Sequence, residues 1–413
     1  MKSLWLTTEL LHPVNKGGRI RTYNMLRELK QFNHITYFAL DDGTADADAR
    51  ERATEYCHEL VCLNHPTPEK FTPLFYADLA RNLASRLPYA VQKYVSAELR
   101  RLTAEWVARE KPDVLICDFL AASINLPQHV NCPTVLFQHN VEAVIWQRHY
   151  EVQTQPFKRA YLQAQWRRMH AFERNTCQRF DQVVAVSVED CNRMRRDYGV
   201  ENVADIPTGV DTKFFRPSCK VERDPYNLVF TGSMDWLPNE DGIQYFVDKV
   251  LPLVRRVIPQ VTLTVVGRQP FQSLVELSRR DPSIIVTGRV DDVRPYIEKA
   301  AAYLVPLRIG GGTRIKIYEA MAMEKPVIST TIGAEGLPVR HGEDLILADT
   351  AEDFADSIIR VLRDESYAHK LGAHAARTVR ENFGWDKVAE RFAEICAQAC
   401  AKSRYTTPAV ARA

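Results

Sequence analysis

Glycines and positive charges are concentrated in the segment PLRIGGGTRIKIYEAMAM, residues 306–323. An apolar, strand-like run ends in three glycines, which let a backbone approach a ligand closely. A helix is predicted to begin just after them, and its N-terminus offers unpaired N–H groups and a partial positive charge. Arg314 and Lys316 add two full charges in the first turn. Because cations there oppose the helix dipole, their presence indicates that an anion such as a phosphate lies between them.

Glu319 follows one to two turns later on the same predicted helix, between Tyr318 and the small residue Ala320. A carboxylate at this position could accept hydrogen bonds from sugar hydroxyls. The alternative interpretation of the whole segment is a glycine-rich turn followed by an exposed basic helix start.

A second group of candidates lies in the N-terminal half. The run TVLFQHN ends in His139 and Asn140, Glu142 follows, and Asp118 ends the run DVLICD. The carboxyl ends of parallel strands are where open α/β sheets bind ligands. These residues are therefore candidates for substrate contact, although lone histidines are more often structural and Glu142 could be a first-turn helix acid.

The segment PVNKGGR, residues 13–19, joins the first predicted strand to the first predicted helix. Gly17 and Gly18 permit close approach to a ligand at a helix N-terminus, and a plain tight turn is the alternative. Arg19 and Arg21 could face either a ligand or solvent.

Short apolar runs alternate with helical patterns along the whole chain, which predicts βαβ units and parallel sheets. The polar segment 216–226, with two prolines, is the candidate linker. We therefore predict an α/β protein with two Rossmann-like, doubly wound domains: residues 1–210, a linker at 211–226, residues 227–383, and a last helix within 384–413. Strands are predicted at residues 2–8, 34–40, 113–118, 134–140, 182–187, 227–233, 262–267, 284–288, 302–307, 326–330 and 344–347.

Composition excludes several classes of protein. The 413 residues carry 54 basic and 52 acidic side chains, a net charge of +2, which does not indicate a nucleic-acid binder. The nine cysteines are unpatterned, and no apolar run is long enough to span a bilayer. We expect a cytoplasmic protein without a signal peptide, and no metal, because residues 227–336 contain no DxD cluster and the chain has no histidine pair at ligand spacing.

A helix predicted over residues 155–179 carries six basic residues. A solvated helix face is one interpretation, and contact with an acceptor or with a membrane surface is the other. Peripheral contact with the inner face of a membrane is therefore a possible partner interaction.

The strand, the glycine-rich turn and the sequence GTRIKIYEAMAMEKPVIST resemble the nucleotide-sugar signature of glycosyltransferase family 4. The similarity covers nearly the whole chain, and the GGGTRIK motif resembles a branch seen among exopolysaccharide-type sugar transferases. The resemblance implies a GT-B fold with an interdomain cleft and a retaining hexosyltransferase. Its donor would be a nucleoside-diphosphate sugar, with a UDP-sugar favoured, and its acceptor a hydroxyl group in polysaccharide, glycolipid or other glycoconjugate synthesis.

The resemblance also assigns donor-side roles. Glu319 matches the second glutamate of the family's two-glutamate motif, which binds the donor ribose, whereas Gly311 stands where the first glutamate would be. Ser233 and Asp241 stand where the family has a basic pair for the diphosphate. We therefore predict that the diphosphate is bound by Arg314 and Lys316, with Asn239 in reach and with support from the backbone of Gly232, Ser233, Gly311, Gly312 and Thr313.

The remaining roles follow the same resemblance. It places Gly17 and Gly18 near the donor phosphates, His139 at the reacting sugar, and Arg268, Arg289 and Val290 around the nucleobase. Asp118, Asn140 and Glu142 are the acceptor-side candidates. The alternatives are a nucleotide-sugar epimerase on the same fold and a catalytically silent nucleotide-sugar-binding module, while the lack of a GxGxxG motif after a strand argues against a dehydrogenase.

Overall fold

The computed structural model describes residues 1–14, 17–69, 71–309 and 315–405. They form two compact units: unit 1 comprises Met1–Pro207 and the chain from Val388 onward, and unit 2 comprises Thr208–Lys387. Each unit contains one parallel sheet with helices.

The sheet of unit 1 has seven strands in the order β3-β2-β1-β4-β5-β6-β7, and every neighbouring pair is parallel. Its central strands are almost fully buried, which explains their continuous apolar runs. The strands are β1 (Lys2–Leu6), β2 (His34–Asp41), β3 (Glu59–Asn64), β4 (Val114–Asp118), β5 (Thr134–Phe137), β6 (Gln182–Ala185) and β7 (Val203–Asp205).

The helices of unit 1 begin at recognisable caps. Ser96 and Ser187 each accept a hydrogen bond from a backbone N–H of the helix that follows, and prolines occupy the first turn of two others. The helices are α1 (Gly17–Leu29), α2 (Pro73–Leu83), α3 (Tyr89–Gln92), α4 (Ala97–Glu110), α5 (Glu142–Val152), α6 (Pro156–Cys177) and α7 (Val188–Tyr198).

The sheet of unit 2 has six parallel strands in the order β10-β9-β8-β11-β12-β13. The strands are β8 (Asn227–Thr231), β9 (Thr262–Val266), β10 (Ile284–Gly288), β11 (Ala302–Val305), β12 (Val327–Ser329) and β13 (Ile346–Leu347). The helices are α8 (Leu237–Tyr245), α9 (Leu251–Val257), α10 (Gln272–Arg280), α11 (Arg294–Lys299), α12 (Ile315–Ala322), α13 (Ala351–Arg363) and α14 (Glu365–Asn382); α15 (Trp385–Tyr405) starts in unit 2 and continues into unit 1.

The strand orders identify where each sheet can bind a ligand. In unit 1 the order reverses between β1 and β4, and in unit 2 it reverses between β8 and β11. Doubly wound sheets bind ligands outside the carboxyl ends of strands at such a switch point. The residues that follow these four strands are therefore the candidates for ligand binding.

The predicted α/β class, with two doubly wound parallel sheets, is confirmed. Two strands escaped prediction: β3 is a partly exposed edge strand, and β7 is an edge strand of three residues. The predicted strand over 134–140 ends at Phe137, so that Gln138, His139 and Asn140 lie beyond the sheet. Within the ranges that the structure describes, no helix is both long and apolar enough to cross a bilayer.

Candidate functional site

Lys316 lies at the start of α12, and its ammonium group reaches the end of β8. It donates a hydrogen bond of 3.1 Å to the side-chain oxygen of Asn239 and lies 4.2 Å from the ring centroid of Phe230. The amide nitrogen of Asn239 donates in turn to the carbonyl oxygen of Ser233, at 2.8 Å. A Cβ placed on Gly232 would lie 2.7 Å from the Lys316 nitrogen. Glycine at this position therefore makes room for the cation.

The loops after β8 and β9 are held in close contact. The amide of Gly232 donates to the carbonyl of Val266 at 2.9 Å, and a Cβ on Gly267 would lie 1.7 Å from the carbonyl oxygen of Gly232. Arg268, the next residue, donates a 2.6 Å hydrogen bond to the hydroxyl of Ser233. The structure thus places a second cation beside Ser233, where the resemblance to family 4 led us to expect a basic residue.

Asp241, the other position at which a basic residue was expected, is paired with a cation that the sequence analysis missed. Arg308 forms a two-pronged ion pair with Asp241, with N–O distances of 3.0 and 2.5 Å, and its guanidinium lies 4.6 Å from the ring centroid of Tyr245. Arg308 belongs to the PLRIGGG segment, but its partner is 67 residues away in sequence. Only the fold brings the two together.

An open cavity of about 310 Å³ lies on this side of α8. Its lining includes three carboxylates, Glu240, Asp241 and Asp248, and two cations, Arg308 and Lys249. Because the acidic groups outnumber the cations and Arg308 is already paired with Asp241, this cavity is a poor receptor for a diphosphate. The candidate donor site is therefore at the end of β8 and the start of α12, and not in this cavity.

Glu319 lies one turn beyond Lys316 on α12 and is half-buried. Burial raises the pKa of its carboxyl group to about 7, although the positive charge of Lys316 acts in the opposite direction. The carboxyl group therefore changes its protonation state near neutral pH, and a ligand that donates hydrogen bonds to it would favour the ionised form.

Some of the predicted donor residues lie outside the described part of the chain, and others follow β10. Gly311, Gly312, Thr313 and Arg314 lie outside the described residues. Arg289 is exposed just after β10, and Val290 is half-buried and packs against the core of unit 2. The backbone of this turn is tied to the preceding loop, because the amide of Gly267 donates to the carbonyl of Gly288 at 3.1 Å.

His139 and Asp118, predicted separately, form a buried pair at the carboxyl ends of β5 and β4. The Nε2 atom of His139 lies 2.7 Å from one carboxylate oxygen of Asp118, and Nδ1 lies 3.4 Å from a guanidinium nitrogen of Arg21. The second carboxylate oxygen accepts a 2.7 Å hydrogen bond from Thr22. Because a guanidinium can only donate, Nδ1 must be the acceptor and Nε2 carries the proton shared with Asp118.

The charges in this cluster are strongly affected by burial. Burial lowers the pKa of His139, with Asp118 acting in the opposite direction and Arg21 lowering it further. Burial also lowers the pKa of Arg21 to about 10, which leaves the guanidinium charged at neutral pH. The cluster therefore consists of a neutral imidazole, a cation and a carboxylate.

Phe119 also belongs to this cluster, and its backbone conformation is unusual. Its ring stacks on the imidazole of His139, with centroids 3.8 Å apart and planes 11° from parallel. Its φ of 66° is in the left-handed region, which costs a non-glycine residue on the order of 1–3 kcal/mol. A Cβ on Gly18 would lie 2.4 Å from the tip of the ring, whereas a Cβ on Gly17 would have no described heavy atom within 4 Å. Gly18 thus accommodates the ring of Phe119.

Arg19 and Arg21, which could have faced either a ligand or solvent, both have partners within unit 1. Arg19 is buried and forms an ion pair of 2.6 Å with Glu9. Arg21 points into the cluster with His139, an orientation that the sequence alone does not determine. Thr22 and Phe119 also escaped the sequence analysis.

A cavity of about 230 Å³ in unit 1 adjoins Phe119. Its lining combines aromatic rings, carboxylates and an ammonium group, among them Glu9, Lys93, Tyr94 and Glu142. Burial, together with the negative charge of Glu173, raises the pKa of Glu142 to about 7. Asn140 is exposed just before α5 and hydrogen-bonds to Glu142.

The carboxyl group of Glu173 caps the start of α5. Its buried carboxylate accepts hydrogen bonds from the first two backbone amides of α5, both at 2.9 Å, and from the hydroxyl of Tyr198 at 2.7 Å. A carboxylate at a helix N-terminus is favoured by the helix dipole. Glu173 therefore holds Glu142 at the edge of the cavity.

We searched the described part of the chain for groups of three or more histidine, cysteine or carboxylate side chains that could hold a metal ion, and found none.

Comparison with known proteins links both units to sugar transfer. Residues 16–214 match the family described as Glycosyltransferase Family 4, and residues 225–364 match the family described as Glycosyl transferases group 1. An uncharacterized 44.6 kDa protein in the cps region of Klebsiella pneumoniae is 22% identical over 396 residues, which cover 94% of this chain and 97% of that protein. The D-inositol 3-phosphate glycosyltransferase of Streptomyces bingchenggensis is 27% identical over 242 residues, which cover 53% of each protein.

Among solved structures, Anabaena HepE in complex with UDP aligns with a TM-score of 0.63 and 14% identity, covering 96% of this chain and 100% of HepE. HepE has also been solved in complex with UDP-glucose. At this level of identity the likeness concerns the fold, and the predicted GT-B fold is confirmed.

Proposed function

This chain belongs to family 4 of the glycosyltransferases, and we propose that it transfers a hexose from a nucleoside-diphosphate sugar to a hydroxyl group of an acceptor, with retention of anomeric configuration. The observation that carries the proposal is the position of Lys316. Its ammonium group, held by Asn239, lies at the carboxyl end of β8 and one turn from Glu319.

In the proposed reaction the bond between the anomeric carbon and the leaving phosphate oxygen breaks, and the acceptor oxygen bonds to that carbon and passes its proton to the leaving diphosphate. Negative charge develops on the leaving diphosphate. A cation that is already in position stabilises this charge. Such electrostatic stabilisation of the transition state is the largest single contribution to rate acceleration in many enzymes. We assign that role to Lys316 together with Arg314. We assign binding of the donor ribose to Glu319. Arg268 brings further positive charge to the loop after β9, where it also lies 3.5 Å from a carboxylate oxygen of Asp235.

The cluster in unit 1 is proposed to serve the reacting sugar. Both ring nitrogens of His139 are engaged, one by Asp118 and one by Arg21. His139 therefore acts as a neutral positioning group that fixes the orientation of the Arg21 guanidinium. The adjoining cavity is the proposed acceptor site, because aromatic rings pack on the apolar face of a pyranose while carboxylates such as Glu142 accept hydrogen bonds from its hydroxyls.

We favour a UDP-hexose as donor and a GDP-sugar as the alternative. HepE, which shares the fold, binds UDP and UDP-glucose. We also propose that no metal is needed, since the basic side chains can neutralise the diphosphate. Activity that persists in EDTA would support this, and activity that returns only with a divalent cation would contradict it. A role in polysaccharide synthesis draws support from the relative in the Klebsiella cps region.

The experiment follows UDP release and the anomeric proton signals when the full-length protein is given UDP-glucose or GDP-mannose, with and without a panel of simple glycosides. We expect nucleotide release that an acceptor accelerates, and a product with the anomeric configuration of the donor. A changed sugar still attached to its nucleotide would identify an epimerase. Nucleotide-sugar binding without any turnover would identify a silent binding module.

A matched pair of lysine variants tests the assigned site. Lys316→Ala should abolish most of the nucleotide release. Lys299→Ala, which removes an exposed lysine at the end of α11, should leave it unchanged. Equal activity in the two variants would refute the assignment.

A further inference from the structure

The cavity of about 230 Å³ in unit 1 has an uneven distribution of charge. Two carboxyl groups, those of Glu9 and Glu142, and one ammonium group, that of Lys93, are in its lining. The other lining residues are apolar, aromatic or hydroxyl-bearing. The state of these three side chains therefore determines the net charge that a bound ligand meets.

Glu9 presents no net charge to a ligand. Its carboxylate lies 2.6 Å from one terminal nitrogen of Arg19 and accepts a 2.8 Å hydrogen bond from the Nε atom of the same guanidinium. Arg19 is only 2% exposed, so this ion pair is closed off within the fold. The negative charge of Glu9 is therefore already neutralised from inside unit 1.

Glu142 presents only part of a charge. Because its pKa is about 7, roughly half of the molecules carry a neutral carboxyl group here at neutral pH. Burial, the charge of Glu173 and a hydrogen bond with Asn140 set this pKa, and Lys93 has no part in it. The ammonium group of Lys93 is therefore too far from Glu142 to neutralise it.

Lys93 carries the charge that the cavity leaves without a counter-ion. Within the ranges that the structure describes, its ammonium group forms no ion pair. It lies 4.4 Å from the ring centroid of Tyr94, a cation–π contact that holds the group in place without cancelling its charge. An ammonium group offers three hydrogen-bond donors and no acceptor. This end of the cavity is therefore suited to a negatively charged acceptor of hydrogen bonds.

The backbone that carries Lys93 and Tyr94 is fixed on both sides. The carbonyl oxygen of Lys93 lies 2.8 Å from Nε2 of His65. The carbonyl oxygen of Tyr94 accepts a 2.8 Å hydrogen bond from the fully buried side chain of Asn125, whose own oxygen accepts from the amide of Ser96 at 2.8 Å. The ammonium group is therefore in position before a ligand arrives, which reduces the entropic cost of binding.

We propose that the acceptor bound in this cavity carries an anionic group on its sugar ring and that Lys93 recognises this group. A single ammonium group matches a single negative charge, so the carboxylate of a hexuronic acid fits best, and a phosphate ester shares the same chemistry. A neutral sugar would remove water from the ammonium group without supplying a charged partner. This inference rests on the proposed role of the cavity as the acceptor site.

The first test measures binding by ligand-observed NMR, with the full-length protein and with or without UDP. The probes are matched pairs of methyl glycosides: glucuronic with glucose, galacturonic with galactose, and mannuronic acid with mannose. Methyl glucoside 6-phosphate is added as a further anion. We expect at least one anionic probe to bind about tenfold more tightly than its neutral partner, and we expect added salt to weaken this preference. Preference for a uronic acid identifies a carboxylate, and preference for the phosphate ester identifies a phosphate; either supports anion recognition.

Variants of Lys93 test the assigned residue. Lys93→Met removes the ammonium group but keeps an apolar stem, and it should weaken binding of the anionic probe about tenfold and abolish the preference. Lys93→Glu should instead favour methyl glucosaminide, which carries a positive charge. The matched control, Lys30→Met, removes another half-buried lysine of unit 1 that is not in the cavity lining, and it should keep the preference. Melting temperatures like that of the parent protein show that the variants are folded.

The outcomes separate this inference from the proposed transferase activity. Equal binding of anionic and neutral probes, binding of neither, or a preference that survives in Lys93→Met would overturn the inference, even if the protein transfers sugar to a neutral acceptor. A Lys93-dependent preference without any sugar transfer would support the anion site and contradict the transferase proposal instead.

Discussion

Replacing Glu319 by glutamine should make the protein more stable above neutral pH while weakening its ligand binding. Burial raises the pKa of Glu319 from an ordinary value of 4.5 to about 7. The folded protein therefore holds this proton more tightly than the unfolded chain does. The resulting stabilisation is complete below pH 4.5 and is lost as the pH rises to about 7. Glutamine remains neutral and keeps the stability that glutamate loses.

The size of the effect follows from the pKa difference. The rise of the Glu319 pKa from 4.5 to about 7 corresponds to at most about 3.4 kcal/mol. Glu319 is only half-buried, and hydration of its charged form reduces this to about 1–2 kcal/mol. For a unit of this size, 1 kcal/mol moves the melting temperature by about 2–4 °C, so Glu319→Gln should melt about 2–8 °C above the parent protein at pH 8. At pH 4.5 the two should melt together.

The assay is thermal melting of the full-length protein at pH 4.5 and pH 8, followed by circular dichroism. Glu335→Gln, which changes an exposed carboxylate in the same unit, is the matched control and should have no pH-dependent effect. The reasoning is refuted if Glu319→Gln is no more stable than the parent at pH 8, or if the control shows the same shift. The same variant should bind UDP about tenfold more weakly, because one good polar contact contributes about 1.5 kcal/mol.

Three further variants test other parts of the site. Lys316→Ala should lower turnover more than donor affinity, measured as kcat and Kd, because the cation acts on the leaving phosphate; equal losses would indicate simple anchoring. Gly18→Ala should reduce turnover and melting temperature because its Cβ would lie 2.4 Å from a phenyl ring, whereas Gly17→Ala, whose Cβ meets no described heavy atom within 4 Å, should not lower the melting temperature. Gly267→Ala should destabilise unit 2 by about 3 kcal/mol or more and abolish UDP binding, because the new Cβ would lie 1.7 Å from the backbone oxygen of Gly232; a melting curve like that of the parent would contradict the observed packing.

Sequence patterns were most informative where burial is uniform. The strand predicted over 113–118 is β4, residues 114–118, in which every residue is buried. Buried parallel strands read as continuous apolar runs, which is why the central strands were found. β3 is only partly buried along its length and β7 has only three residues, so neither produces a continuous buried apolar run.

The site could be predicted as separate residues but not as a network. His139 and Asp118 were each chosen because they follow a strand, and the topology brings them within 2.7 Å of each other. The orientation of Arg21 depends on how α1 packs on the sheet, which a single sequence does not reveal. The pairing of Arg308 with Asp241 likewise joins residues 67 apart in sequence, and only the fold determines it.

The most direct test of the central claim is isothermal titration of the full-length protein with UDP, GDP and ADP in EDTA, repeated with Lys316→Ala and Glu319→Ala. We predict that one nucleoside diphosphate, UDP by preference, binds the wild-type protein and that both variants weaken its binding. A folded wild-type protein that binds none of the three, or variants that bind as tightly as the wild type, would contradict the assignment of the donor site to unit 2.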